Sequence, residues 1–189
     1  LLSGEAVDNN LDYLLRFPAE LKLADAAMQE IKQQLEGTQA MVLDLRFNYG
    51  GDDELAFTLV SHFNQQSRVI GSKGLRSGTS EPLTLQAAAN PYLQPLLVLT
   101  GGMTISAGEV MALALQSLPQ ATLIGEATHG SFSNSLERVL PNGGRYRLSN
   151  ELYLDPQKNL LEVQGVLPDI PTAAYVSLDQ QLGSVTALD

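Results

Sequence analysis

Ser106 occupies a position from which a hydroxyl group could perform acyl transfer. Residues 96–99, before it, are a continuous apolar run, which is typical of a strand buried in a parallel sheet. Gly101 and Gly102 then permit a sharp turn, and residues 107–118 are apolar on nearly every side, which predicts a buried helix. Ser106 is therefore expected on the first turn of a helix, where free backbone N–H groups and the helix dipole stabilise negative charge. A serine nucleophile needs such a setting, because its attack on a carbonyl group forms an oxyanion intermediate.

The same residues also fit a purely structural role. Ser106 and Glu109 form the S-x-x-E pattern of a capping box, in which the two side chains satisfy backbone N–H groups at the start of a helix. Any helix can begin in this way, so this stretch alone leaves both roles open.

A second glycine turn precedes the Ser106 region. Residues 41–45 predict a strand that runs into Gly50 and Gly51, after which three acidic residues, 52–54, begin a helix at its positive end. A strand, a glycine turn and a helix can together bind phosphate, but this turn lacks both G-x-G-x-x-G and G-x-x-x-x-G-K-[ST]. The alternative use of such glycines is a bare backbone N–H directed at an oxyanion.

The remaining segments predict an α/β domain. A strand is expected over residues 11–17, a helix over 19–35 and a strand over 121–125, each from the spacing of its apolar residues. Residues 74–82 are rich in glycine and serine and indicate a mobile loop. Residues 134–149 predict an antiparallel hairpin around a Pro-Asn-Gly-Gly turn. The order is β-α-β-α-β with the hairpin appended, so the site is expected at the C-terminal ends of parallel strands.

Composition excludes several classes of function. The chain has 189 residues, 44% of them hydrophobic, and a net charge of −10, which predicts one globular domain and neither nucleic acid nor an anionic membrane as partner. Cysteine is absent, so thiol catalysis and disulfides are excluded, and the isolated His62 and His129 predict no metal site. No apolar run approaches the ~20 residues of a membrane-spanning helix. Because the sequence starts at Leu1 without methionine, residues 1–189 are expected to be a single domain from a longer chain.

Four motifs appear in one order along the chain: DLRFNYGG at residues 44–51, TISAGE at 104–109, IGEATHG at 124–130 and GVLPDI at 165–170. Together they resemble the signature of the C-terminal processing (tail-specific) serine peptidases, a family related to the tricorn core protease and the interphotoreceptor retinoid-binding proteins. A single short motif is weak evidence for a family, but four motifs in the family's order and spacing are specific evidence. The resemblance covers roughly residues 11–171.

The resemblance implies a ClpP/crotonase-like fold and a serine endopeptidase that acts on peptides or unfolded proteins without metal or cofactor. Ser106 matches the nucleophile, and the N–H of Ala107, with that of Gly50 or Gly51, matches the oxyanion hole. Family habit also implies an extracytoplasmic location, periplasmic or secreted.

The general base departs from the family pattern. Ser131 stands at the position of the tail-specific lysine, and no lysine lies between Lys73 and Lys158. The tricorn-like branch uses Ser, His and Glu instead, and Glu162 stands at its carboxylate position. In that branch the histidine comes from a segment N-terminal to the first strand of this domain, and His129 is the one substitute within this chain.

Two other readings stay open. A catalytically silent member of the family would bind peptides or apolar ligands, and the missing lysine favours it. A crotonase-type acyl-CoA enzyme would use the glycine turn but not Ser106, and the Pro168-Asp169 motif argues against it.

Overall fold

The computed structural model describes residues 21–75 and 78–173. Parallel strands alternate with helices there, as the sequence predicts, whereas the strand expected over residues 11–17 lies outside the described residues. In chain order the elements are α1 (residues 21–34), β1 (Met41–Asp44), α2 (Asp53–Ser61), β2 (Arg68–Leu75), β3 (Ser80–Leu85), β4 (Leu96–Thr100), α3 (Ala107–Gln116), β5 (Ala121–Gly125), β6 (Ser135–Val139), β7 (Arg145–Ser149), β8 (Glu151–Leu154) and β9 (Ile170–Pro171). Within these ranges, no helix is both long and apolar enough to cross a lipid bilayer.

A parallel sheet with the strand order β1-β4-β5-β9 forms the centre of the fold. Leu43 of β1 pairs with Val98 of β4, which pairs with Leu123 of β5, so the predicted strands over residues 41–45, 96–99 and 121–125 are neighbours in one parallel sheet. Helix α3 follows β4 and is buried along nine of its ten residues, which explains its nearly all-apolar sequence. Since β4 lies between β1 and β5, the turns that follow these three strands meet at one edge of the sheet.

The mobile loop predicted over residues 74–82 is wrong at residues 74–75 and 80–82, and residues 76 and 77 lie outside the described residues. Strand β2 continues to Leu75 and β3 begins at Ser80, and they pair with Gly74 opposite Ser80. Strand β2 also pairs with β8 on its other side, giving an antiparallel sheet of order β3-β2-β8. The glycine and serine residues here lie at the end of a hairpin. Strand β2 forms because β3 and β8 supply backbone hydrogen bonds on its two sides, which the local sequence does not reveal.

The predicted hairpin over residues 134–149 is confirmed. Strands β6 and β7 pair from Ser135 opposite Ser149 to Val139 opposite Arg145, and they form a two-stranded sheet of their own.

His62, at the end of α2, is a packed histidine and is only 2% exposed. Its Nε2 atom lies 3.0 Å from Asp25 Oδ1 in α1. Burial, followed by the charge of Lys32, lowers the pKa of His62, while Asp25 acts in the opposite direction. The contact links α1 to the main body of the fold.

A buried tyrosine links the antiparallel sheet to the start of α2. Tyr153 is fully buried, and its hydroxyl donates to Asp53 Oδ2 at 2.7 Å and to Glu151 Oε2 at 3.4 Å. Burial raises the pKa of Asp53, and the hydrogen bond from Tyr153 opposes that rise. Because Asp53 lies only two residues after Gly51, this hydrogen bond helps to hold the glycine turn in place.

We predict that Tyr153→Phe lowers the free energy of unfolding by about 1–3 kcal/mol at pH 7, because a buried acceptor loses its donor. The pKa of Asp53 is higher in the folded protein than in the unfolded chain. The folded state therefore loses stability relative to the unfolded state as the pH rises through the folded-state pKa of Asp53. Removal of the hydroxyl raises this pKa further. The loss measured by urea unfolding should therefore be larger at pH 7 than at pH 4.

The control is Tyr146→Phe, because Tyr146 is 41% exposed and should tolerate the change at both pH values. An equal loss for Tyr153→Phe at pH 4 and pH 7 would contradict the proposed link between Tyr153 and ionised Asp53.

Candidate active site

Ser106 lies between β4 and α3 in a backbone conformation that L-residues rarely adopt. Its φ is +55° and its ψ is −125°, and it directly precedes the first residue of α3. A serine on a strained turn between a strand and a helix is the arrangement that exposes a nucleophilic hydroxyl in many hydrolases. The outline is that of a capping box, but the Glu109 N–H donates to the Ser106 carbonyl oxygen at 2.8 Å and the Ser106 side chain makes no capping hydrogen bond.

The glycine turn after β1 packs directly on Ser106. A Cβ atom at Gly50 would lie 2.7 Å from Ser106 Cβ and 2.8 Å from the Ile105 carbonyl oxygen, and the φ of Gly50 is +98°. No other residue type fits there without displacing the backbone. Backbone and side-chain hydrogen bonds join the same two turns, from Ile105 N–H to the Asn48 carbonyl oxygen at 2.9 Å and from the Thr104 hydroxyl to the Leu45 carbonyl oxygen at 2.8 Å.

Two backbone N–H groups remain available to a ligand: that of Ala107, which follows Ser106 directly, and that of Gly51, which belongs to the glycine turn whose Gly50 packs on Ser106. Neither Ala107 N–H nor Gly51 N–H has a hydrogen-bond partner within residues 21–75 and 78–173. Gly50 N–H, in contrast, donates to Asn48 Oδ1 at 2.9 Å. Of the two glycines that the sequence left open as oxyanion donors, Gly51 is the one with a free N–H.

Glu109 is a fully buried carboxylate that gathers four hydrogen-bond donors. Its Oε1 accepts from the Thr128 hydroxyl and from Gly130 N–H, each at 2.6 Å. Its Oε2 accepts from Ser131 N–H at 2.7 Å and from Ser106 N–H at 3.1 Å. One side chain therefore fixes the loop after β5 against the Ser106 turn.

From the sequence, Glu109 is expected only in the capping box and at the end of the TISAGE motif, not as a contact of the loop after β5. Thr128 extends its network, because the Thr128 hydroxyl accepts from Val166 N–H at 2.8 Å while donating to Glu109. The signal that could have revealed this role is a charged residue inside an otherwise apolar helix, since a buried charge needs several hydrogen-bond partners.

The candidate base residues do not contact Ser106 through hydrogen bonds. His129 is exposed, and its Nδ1 atom lies 2.8 Å from the hydroxyl of Ser131. Glu162 Oε2 accepts from Ser133 N–H at 3.2 Å. In the described parts of the chain, Gly50 lies against Ser106 and the Ala107 N atom, and Gly51 follows it in the same turn. No hydrogen bond connects Ser106, His129 and Glu162 there.

The two lysines that flank Ser106 and Ser131 in the sequence, Lys73 and Lys158, bind groups away from Ser106. Lys158 Nζ donates to the Ser72 hydroxyl at 3.2 Å, and Lys73 Nζ lies 3.5 Å from Glu151 Oε1. Both contacts involve the antiparallel sheet, so neither lysine replaces the one that the tail-specific peptidases carry at the position of Ser131.

Comparison with known proteins identifies the family. Residues 14–172 match the profile of Peptidase family S41, and the chain belongs to that family. It is 29% identical over 149 residues to a carboxy-terminal-processing protease of Bartonella bacilliformis, covering 77% of this chain and 34% of the relative. It is 31% identical over 143 residues to a carboxyl-terminal-processing protease of Synechocystis sp., covering 76% and 33%. The chain thus spans about a third of the length of these curated relatives.

Solved structures show the same fold. The photosystem II D1 C-terminal processing protease superposes with a TM-score of 0.66 at 25% identity, covering 89% of this chain and 43% of that one. A putative peptidase from Parabacteroides merdae superposes with a TM-score of 0.77 at 22% identity, covering 87% and 56%. The chain has the α/β fold with a ClpP/crotonase-like core, and the resemblance seen in the sequence is confirmed.

We predict that Glu109→Gln destabilises the protein by at least about 2 kcal/mol, because the new amide N–H₂ faces backbone N–H donors that then lack an acceptor. Hydrogen exchange should show faster opening of the Gly130 and Ser131 amides. Glu81→Gln is the control, since Glu81 is exposed on β3. Unchanged protection of both amides in Glu109→Gln would contradict this role.

Proposed function

We propose that this chain carries the catalytic centre of a serine endopeptidase that cleaves peptides or unfolded proteins through an acyl-enzyme on Ser106. The proposal is supported by the strained Ser106, by the uncommitted Ala107 N–H that follows it, and by the uncommitted Gly51 N–H in the glycine turn that packs on Ser106 through Gly50. Membership of Peptidase family S41 supports the same reaction. A capping serine alone would require neither the positive φ nor the close approach of Gly50.

In the proposed reaction the Ser106 hydroxyl oxygen attacks the carbonyl carbon of the scissile peptide bond, and a general base takes the hydroxyl proton. The resulting oxyanion accepts hydrogen bonds from Ala107 N–H and Gly51 N–H. Collapse of the tetrahedral intermediate breaks the C–N bond, and the protonated base returns its proton to the leaving amine. A water molecule then hydrolyses the ester in the same manner and regenerates Ser106.

We propose an imidazole as the base. His129 is a candidate within the chain, because its backbone N–H donates to the Thr104 carbonyl oxygen at 3.0 Å. This hydrogen bond anchors the His129 backbone to a residue only two positions before Ser106. Its ring would have to leave the Ser131 hydroxyl to reach Ser106 Oγ. A histidine from outside this chain, oriented by Glu162, is the alternative. Catalytic hydrogen bonds often tighten only when substrate binds, so both candidates remain compatible with the observed geometry.

The catalytically silent alternative also has a specific observation in its favour. Within the described ranges, the candidate base His129 is hydrogen-bonded to Ser131, and Glu162 is hydrogen-bonded to the backbone of Ser133. A member of the family with this arrangement and no base would bind peptides or apolar ligands at the same site without cleaving them.

Two further statements belong to this proposal. We propose that residues 1–189 act as a single peptidase-like domain, which the match over residues 14–172 supports. We also propose an extracytoplasmic location, periplasmic or secreted, which rests on the family resemblance.

We predict that the full-length protein cleaves an unstructured peptide with an acid limb of kcat/KM near pH ~6–7, the range in which an unperturbed imidazole loses its proton. Ser106→Ala should lower kcat by at least about 10³-fold, because the nucleophile is removed. The variants His129→Gln and Glu162→Gln distinguish between the two candidate bases, His129 and a histidine from outside this chain. A large loss in His129→Gln assigns the base to this chain, and a loss in Glu162→Gln alone assigns it to a histidine outside it.

Full activity in Ser106→Ala would contradict the serine mechanism. If the wild-type protein binds the peptide but does not cleave it at any pH between 5 and 9, the silent alternative is correct.

A further inference from the structure

The hairpin formed by β6 and β7, residues 134–150, stands apart from the other two sheets; we refer to it as the ribbon. Of its ten strand residues, Ser135 is partly buried and the others are exposed. An isolated two-stranded hairpin is marginally stable in water, and it gains stability when one face is covered. The ribbon therefore has the properties of a surface that binds a partner.

One face of the ribbon is apolar. Leu136 pairs with Leu148, and the next pair on the same face is Arg138 with Tyr146. Leu136, Leu148 and Tyr146 are 42%, 51% and 41% exposed, which makes them a contiguous patch of large apolar side chains with one guanidinium group in it. Such patches mark binding sites more often than isolated apolar residues do.

Apart from Val139, the other face is polar, and it carries its own ion pair. Arg145 Nη1 lies 2.8 Å from Glu137 Oε1, and Arg147 lies opposite Glu137 in the strand register. Arg138 and Arg147 have no ion-pair partner among the described residues.

The ribbon is basic in an acidic protein. It holds three of the seven arginines and a single acidic residue, a net charge of +2 in a chain whose net charge is −10. A partner that fits the apolar face therefore has aliphatic side chains together with a carboxylate that can reach Arg138.

The ribbon begins directly after the loop of residues 126–133, which contacts the candidate site, and two hydrogen bonds close its base. Asn150 N–H donates to the Asn134 carbonyl oxygen at 3.3 Å, and Glu151 N–H donates to the Ser133 hydroxyl at 3.3 Å. Ser133 belongs to the loop in which Ser131 N–H binds Glu109, the carboxylate that also holds Ser106. The base of the ribbon, which begins three residues after Ser131, is therefore the end of the ribbon nearer to the Ser106 turn.

Both strands of the ribbon are edge strands, because its sheet has only two. Each has backbone N–H and C=O groups that point away from its partner strand and can pair with an added strand. Strand addition supplies main-chain hydrogen bonds that do not depend on sequence, while side-chain contacts on one face supply selectivity.

We propose that the ribbon is the docking surface for the substrate, which binds as an extended polypeptide with aliphatic side chains on the apolar face and an acidic side chain against Arg138. This inference rests on the proposed function, since it assigns the substrate class of the same site. The bound segment adds as a strand to the edge of the ribbon, and the adjoining segment reaches Ser106.

The test compares two peptides with the same cleavable sequence and the same aliphatic flank, which differ only in Glu or Gln at the flanking position. Arg138→Glu and Arg147→Glu make the same change of charge on opposite faces of the ribbon. For the full-length protein, Arg138→Glu should raise KM for the Glu peptide about 3- to 10-fold with kcat unchanged, the effect of losing an exposed ion pair and gaining repulsion. Arg147→Glu should leave the ratio between the two peptides within about 2-fold of wild type, because like-charge effects at the opposite face are screened. Leu148→Ser should raise KM for both peptides.

Equal effects of Arg138→Glu and Arg147→Glu would overturn the proposal, because they would show a general effect of charge. A change in sedimentation mass in Arg138→Glu or Leu148→Ser would overturn it as well, since the ribbon would then bind a second copy of the chain. If the wild-type protein cleaves neither peptide, the proposed function fails, and fluorescence anisotropy with the same labelled peptides decides the docking question separately. Tighter binding of the Glu peptide, lost in Arg138→Glu, would uphold docking even then.

Discussion

The carboxylate of Glu109 is the constraint on which the candidate site depends. A fully buried charge is costly unless it is hydrogen-bonded, and Glu109 meets that requirement with four donors from two separate stretches of chain. Because a carboxylate only accepts hydrogen bonds, every neighbouring polar group has to present an N–H or O–H. This requirement brings the loop of residues 126–133 against the Ser106 turn and orients the backbone of both.

A second constraint acts from the opposite side of Ser106. The parallel sheet places the turns after β1 and β4 side by side, and the absence of a side chain at Gly50 lets them touch. The Asn48 side chain takes up the N–H of Gly50, which leaves Gly51 N–H and Ala107 N–H unpaired. Polar groups in such fixed positions stabilise developing charge without rearranging, which is what the proposed oxyanion hole needs. Sheet order, glycine contact and buried carboxylate together fix the backbone on both sides of Ser106.

The sequence predicted the fold well because the parallel strands are apolar runs, the helices have regular spacing and the four motifs lie in family order. It also placed Ser106 correctly at the junction of a strand and a helix. It failed at residues 74–82, where pairing with distant strands outweighs the local glycine and serine content. It could not reveal the role of Glu109, because three of the four donors come from a loop distant in sequence. The choice between Gly50 and Gly51 depended on one side-chain hydrogen bond from Asn48, which spacing does not encode.

The most direct test of the central claim is a crystal structure of the full-length protein bound to a peptide boronate, which mimics the tetrahedral intermediate. The account predicts a covalent bond from Ser106 Oγ to boron, with one boronate oxygen about 2.7–3.1 Å from both Ala107 N and Gly51 N. It also predicts that the four hydrogen bonds to Glu109 persist in the complex. A boronate that bonds to another residue, or whose oxygens face away from these two N–H groups, would contradict the account.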